Sequence, residues 1–147
     1  MLALTAGAAV AQPSNTAVYV SAAQVAALSA RTKDGIATAP VPTGPGVVLL
    51  SAHRDADGQV EVHDRLADEL IVQAGQATEL IGGSVAGNKQ TAPGEWRGGK
   101  IAGARSYPLG PGDVLWIPPG TPHQTLVPKG GDIRYLAFKF AAPAPSK

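Results

Sequence analysis

Apolar and polar positions along the chain follow two periods. Between Ser21 and Arg31, residues Ala22, Val25, Ala26 and Leu28 recur at helical spacing, and Ser21-Ala-Ala-Gln24 has the form of a capping box. One short amphipathic N-terminal helix is predicted there. Ile36 to Gly46 carries three prolines and neither period, so it reads as a surface segment leading to the first strand. Beyond it, Val47–His53, Gln59–Asp64, Asp68–Ala74, Ala77–Gly82, Lys100–Leu109, Asp113–Ile117, Gln124–Pro128 and Asp132–Phe140 are β-rich runs separated by Gly, Pro or Asp turns. Eight short strands predict an all-β, double-sheet barrel. Gly82-Gly83 and Gly98-Gly99 do not sit between a strand and a helix start with a following Lys-Ser/Thr, so they read as hairpin and loop glycines rather than phosphate loops.

Composition narrows what such a barrel can do. The 147 residues suffice for one domain, and 44% hydrophobic against 16% charged residues excludes an extended disordered chain. Twelve Lys and Arg against eleven Asp and Glu leave a net charge of +1, too little field to hold a polyanion, so nucleic acid is not an expected partner. The chain has no cysteine, which removes disulfides, thiolate metal sites and cysteine nucleophiles. Any metal must therefore be held by His, Asp or Glu.

The first residues, Met1 to Gln12, are apolar and place Ala9 and Ala11 in an A-x-A cleavage pattern, although a basic leading region is missing. Residues 1–11 are expected to be a signal peptide, giving a periplasmic or secreted product. Residues 12–46 would then hold the helix and connecting segment, 47–140 the barrel, and 141–147 a disordered tail with two prolines. No apolar run approaches the ~20 residues that span a bilayer, so no membrane span is expected.

Gly112-Asp-Val-Leu-Trp-Ile-Pro118-Pro-Gly120-Thr-Pro-His123 resembles the second signature of the cupin superfamily: G, five residues, P-x-G, two residues, H. The family's closing Asn is replaced by Val127. In this run Pro111-Gly112 would make a turn, and Pro118-x-Gly120 would bend the chain so that His123 starts the next strand facing inward. The first signature, G, five residues, H-x-H, three or four residues, E, six residues, G, is degraded. One alignment takes His63 first, Arg65 second and Glu69 as carboxylate, one residue short of Gly75. The other puts Glu61 first, His63 second, Asp68 as carboxylate and Gly75 at the close without a gap, and is preferred. The resemblance covers roughly Val47 to Phe140. It implies a cupin-type double-stranded β-helix, a jelly-roll barrel, and a homodimer.

Strand geometry supplies a parallel reading. Period-2 alternation puts Glu61 and His63 on one face of a strand and Val60 and Val62 on the other. On the next strand Asp68 shares a face with Leu70 and Val72, and Glu69 with Ile71 and Gln73, so only one of the two acids points inward. Carboxylates and imidazoles directed into an apolar barrel need compensation, which a divalent cation provides. Together with the second signature, the resemblance implies metal ligation by His63, His123 and at least one of Glu61 and Asp68, a donor set suited to Mn, Fe, Ni or Zn, with Glu61 either a ligand or the general base. The plainer alternative is a pair of hydrogen-bonded histidines with an ordinary Glu61–Arg65 ion pair.

His53 could complete a three-histidine set, but solvent exposure is the stronger expectation. Arg65, Arg97, Lys100 and Gln124 could reach an anion at the barrel mouth but read more simply as surface residues, and Trp96 and Trp116 as core or subunit-contact residues. Val60, Val62 and Ile71 imply an outer face covered by the N-terminal helix or a second subunit. No Gly-x-Ser-x-Gly elbow supports serine hydrolysis. The functional expectation is a metal-dependent cupin acting on a small polar molecule, by isomerase, lyase or oxygenase chemistry, with a non-catalytic metal- or ligand-binding cupin as the alternative. Exported protein is expected to begin at Gln12, which N-terminal sequencing checks.

Overall fold

The computed structural model describes residues 16–141, so the expected leader at 1–11 and all but the first residue of the expected tail lie outside the described residues. Helix α1 (Ala22–Leu28) begins at the predicted capping box: the Gln24 amide donates to Ser21 Oγ at 3.2 Å and the Ser21 amide to Gln24 Oε1 at 2.8 Å. None of its seven residues is fully buried, and hydrogen bonds help tie the helix and its C-cap to the barrel. Ser51 Oγ donates to Val25 O at 3.2 Å and lies 2.8 Å from Ser29 Oγ.

The strands form two facing sheets. The first has five: β1 (Ile36–Pro40), β2 (Val48–Arg54), β13 (Ile133–Ala141), β4 (Leu66–Gly75) and β11 (Val114–Ile117), in that spatial order. The second has six: β10 (Arg105–Leu109), β5 (Ala77–Ile81), β12 (His123–Leu126), β3 (Glu61–His63), β8 (Glu95–Arg97) and β7 (Lys89–Ala92). A two-stranded ribbon joins β6 (Ser84–Ala86) to β9 (Lys100–Ala102). All pairs are antiparallel. This is the expected all-β double-stranded β-helix with one short helix among the described residues.

Two readings are corrected. The Ile36–Gly46 segment opens with strand β1, paired from Ile36↔Arg54 to Pro40↔Leu50, so the sheet begins before position 47. β1 is an edge strand and Pro40 is its last residue, a place where a missing N–H is tolerated. Lys100–Leu109 splits around Gly103 into β9 and β10, and the largely polar strands β6, β7 and β8 carried no alternating signal.

Strands β4 and β13 run together at the centre of the five-stranded sheet, from Ile133↔Gly75 to Ala141↔Leu66. On β4, Asp68, Leu70 and Val72 are buried, matching the predicted inward face. On β13 the inward face is the smaller one: Ile133, Tyr135 and Ala137 are buried, while Leu136, Phe138 and Phe140 alternate with them. Trp116 does not enter the core, since it is 48% exposed and meets Phe140 on the outer face with ring centroids 5.7 Å apart and planes tilted by 39°. The core cluster comprises Ala52, Leu70, Val72, Ala77, Leu109, Ile117, Ile133, Tyr135 and Ala137.

Gly75 ends β4 at φ +76°, where a Cβ would lie 2.1 Å from the Asp132 carbonyl oxygen. No side chain fits without moving backbone. Gly75→Ala is expected to destabilise the fold by at least about 1–3 kcal/mol, readable as a lowered urea midpoint.

Candidate metal centre

The site is assembled on the six-stranded sheet. β3 presents Glu61 and His63 on one face, and His123, the first residue of β12, pairs with Glu61. Between β11 and β12, Gly120 turns the chain at φ +73°, and its amide donates to the His63 carbonyl at 2.7 Å. The bend that delivers His123 is thus hooked onto the strand that carries His63, and the two rings lie 5.3 Å apart.

Each ring is held from behind. His63 Nδ1 lies 2.6 Å from Glu95 Oε2, which also accepts from Arg97 Nη2 at 3.1 Å. His123 Nδ1 lies 3.0 Å from the Thr121 carbonyl oxygen. Both acceptors take a proton from Nδ1, which turns each Nε2 inward, that of His63 to within 3.0 Å of Lys139 Nζ. Donor atoms of Glu61, His63 and His123 all fall within 4.8 Å of one another. Two imidazoles with fixed tautomers and one carboxylate fit a divalent ion.

Asp68 approaches from the facing sheet. Its Oδ2 lies 3.3 Å from His63 Nε2 and 3.8 Å from His123 Nε2, and accepts from Lys139 Nζ at 2.7 Å. Its Oδ1 is buried without a hydrogen-bond partner among the described residues. Lys139, opposite Asp68 on β13, also reaches His63 Nε2 at 3.0 Å. Glu69 stands in register with Trp116 and Phe138 on the outer face, so Asp68 is the inward carboxylate. The structure therefore brings Glu61, His63 and His123 into one cluster, with Asp68 beside it and bound to Lys139.

The carboxyl groups differ in environment. Burial pushes Glu61 up, but Arg97, His123, Arg54 and Lys139 outweigh it and hold the group below the usual carboxylate range. Arg54 Nη2 donates to Glu61 Oε1 at 2.8 Å, and Arg97 Nη2 lies 3.3 Å from Oε2. For Asp68, burial is likewise opposed by His63 and Lys139, and the net direction is down. Burial also lowers His123, with Glu61, the Thr121 carbonyl and Asp68 acting against it. Glu79 is 0% exposed, neither of its oxygens has a hydrogen-bond partner among the described residues, and burial pushes it up to about 8 despite Thr125 and Arg54.

These groups face a cavity of about 260 Å³ with apolar walls that include Leu50, Ala52, Leu70 and Ala137. It shares Arg54, Glu61 and Arg97 with an outer hollow bounded by Asp57, Gly58 and Gln59.

Several site residues escaped the sequence reading. Arg54, whose Nε donates to Tyr135 Oη at 3.0 Å, follows Leu50 and Ala52 on the inward parity of β2, one residue past the predicted strand end. Lys139 follows Ile133, Tyr135 and Ala137 on the inward parity of β13. Glu95 and Glu79 lie on β8, which was not predicted, and β5, which was. His53 matches neither expectation: it is buried beneath α1, with Nδ1 3.1 Å from Ser29 O and Nε2 3.0 Å from Asp132 Oδ2, and takes no part in the cluster. Its expected exposure is thereby corrected. Arg65 and Lys100 are exposed, whereas Arg97 is half-buried against Glu61 and Glu95. Gln124 Nε2 donates to Gly58 O at 2.8 Å, and Trp96 Nε1 to Asp64 Oδ2 at 3.1 Å.

The model of the AraC-like ligand-binding domain family matches residues 94–144. No curated protein sequence matches the chain. Among solved structures, an uncharacterised conserved protein with a double-stranded β-helix domain from Klebsiella pneumoniae is 14% identical, with a TM-score of 0.60 over 89% of this chain and 95% of that one. The polyketide cyclase RemF from Streptomyces resistomycificus is 18% identical, with a TM-score of 0.52 over 76% of this chain and 69% of its own. The DMSP lyase DddQ from Ruegeria pomeroyi is also 18% identical, at 0.52, over 77% of this chain but only 50% of its own length. At these identities the likeness is one of fold.

Glu79 gives stability a signed dependence on pH. Below its ordinary value of 4.5 the group is protonated folded or unfolded; between 4.5 and about 8 only the unfolded chain releases the proton. Its contribution is therefore lost as pH rises through this window, by on the order of a few kcal/mol. Urea titrations across the window are expected to show that decline, and to show it flattened in Glu79→Leu.

Proposed function

The chain is a cupin-fold protein, and from that premise we propose that its barrel is a metal-dependent active site for a small polar molecule, with Glu61, His63 and His123 as metal ligands and Asp68 at the edge of the set. The observation that carries this reading is the convergence of donor atoms of Glu61, His63 and His123 within 4.8 Å of one another, with each imidazole Nδ1 turned to an acceptor behind it. Mn, Fe, Ni and Zn all suit the donors. Such an ion, when bound, polarises a carbonyl or enolate oxygen and so eases proton removal or elimination, or with iron and oxygen supports oxygenase chemistry.

The chain's own groups divide the remaining work. Glu61, clamped by Arg54 and Arg97, is a poor proton acceptor, which favours the ligand role over the general-base role. Lys139, bound to Asp68, is the group placed to donate a hydrogen bond to an oxygen that gains charge. The apolar walls limit water around the reacting atoms. Isomerase or lyase chemistry on a small oxygen-rich substrate is the activity we assign to this arrangement.

A second reading has its own support. Lys139 Nζ already sits 2.7 Å from Asp68 Oδ2 and 3.0 Å from His63 Nε2, so a protein cation does part of what a metal would do. This favours a metal-free ligand-binding barrel, in keeping with the ligand-binding family model that matches residues 94–144. Export and assembly as a homodimer through the apolar outer face bearing Trp116, Phe140 and Val114 complete the proposal. Sedimentation showing only monomer at micromolar concentration would remove the dimer.

Elemental mass spectrometry on tag-free protein separates the two readings. Near-stoichiometric metal in wild type, lost in both His63→Ala and His123→Ala, is the expected result. No metal, even after refilling with Mn, Fe, Ni and Zn, leaves the ligand-binding barrel. Lys139→Met is expected to cost about 3–5 kcal/mol in chelator by leaving Asp68 buried without its partner, and less when a divalent ion is present.

A further inference from the structure

We propose that Glu79 and Thr125 form a hydroxyl-recognition subsite in the cavity wall, selecting a small polyol or hydroxy acid. This deepens the small-molecule half of the proposed function and does not depend on the metal.

Glu79 is wholly buried, yet it lines the cavity, and neither carboxyl oxygen meets a hydrogen-bond partner among the described residues. Left so, a buried polar group opposes folding, and large apolar residues are the usual occupants of such a position. The neighbouring cation is already committed: Arg54 gives Nε to Tyr135 and Nη2 to Glu61. Thr125 and Arg54 stand near the carboxyl without hydrogen-bonding either oxygen, and a ligand in the cavity would satisfy both.

The chemistry of that ligand follows from what surrounds the group. Burial pushes Glu79 up to about 8, so near neutrality it offers one O–H donor and one C=O acceptor. Thr125, its cross-strand partner on β12, also lines the cavity and adds a hydroxyl with both capacities. An ammonium ligand would share the space with Arg54, and an anionic group could accept but not donate. A hydroxyl does both and carries no charge. The volume of about 260 Å³ lies below the ~300–1,000 Å³ of drug-sized pockets, which restricts the ligand to a few carbons.

The test is an NMR titration of the full chain with glycerate, tartrate and erythritol, each set against an analogue with fewer hydroxyls: propanoate, succinate and butane-1,4-diol. Wild type is expected to bind at least one hydroxylated member at least tenfold tighter than its analogue. Glu79→Leu is expected to abolish that preference, and Glu79→Gln, which keeps a donor and an acceptor, to retain part of it. A preference that survives intact in Glu79→Leu overturns the subsite. Equal binding within every pair overturns it too, while leaving small-molecule binding in place; no binding of any probe overturns both. Glu79 is not among the candidate ligands, so the preference is expected to persist after chelation, and failure of the metal is read separately from failure of the subsite.

Discussion

Three carboxyl groups, Glu61, Asp68 and Glu79, share one small cavity, and the cost of taking them out of water constrains everything around them. Each is accommodated differently. Glu61 stays ionised between two guanidinium groups, and Asp68 stays ionised on an ammonium. Glu79 has no cation of its own and keeps its proton. Arg54, Arg97 and Lys139 are therefore as much a part of the barrel as its apolar core. The same balance sets the histidines: with the acids paired, burial keeps His123 below its ordinary range and its Nε2 available.

Much of this is legible in the amino-acid sequence. The helix announced itself through Ser21 and Gln24, the turn into β12 through Pro118 and Gly120, and the shared face of Glu61 and His63 through simple alternation. Alternation leaves open whether Asp68 or Glu69 faces inward, with only the gapless spacing to Gly75 favouring Asp68, and the burial of Leu70 and Val72 on its parity decides it. These signals are local, and local geometry is what a sequence encodes most directly.

What escaped had a physical reason in each case. On β13 the larger apolar residues, Leu136, Phe138 and Phe140, face outward, so hydrophobicity points to the wrong parity and hides Lys139 on the inner one. Strands β7 and β8 are too short and polar to alternate, which concealed Glu95 behind His63. His53 is buried by a helix docked through serine hydroxyls and a backbone carbonyl, contacts with no hydrophobic signature. Burial by polar contact is the part of a fold least visible in composition.

The cavity is divided along the seam of the sandwich. Glu61, His63, His123 and Glu79 all belong to the six-stranded sheet, whereas Arg54, Asp68, Tyr135 and Lys139 belong to the five-stranded one. The seam is crossed by the Arg54–Glu61 pair and by Lys139 reaching His63. Within one sheet, the Glu61↔His123 pair and the Gly120 hook set the two imidazoles beside Glu61, whereas the Arg54–Glu61, Lys139–His63 and Asp68–His63 contacts all span the two sheets. The charge pairing at the site thus depends on how the two layers are packed together, while the imidazole pair belongs to one layer.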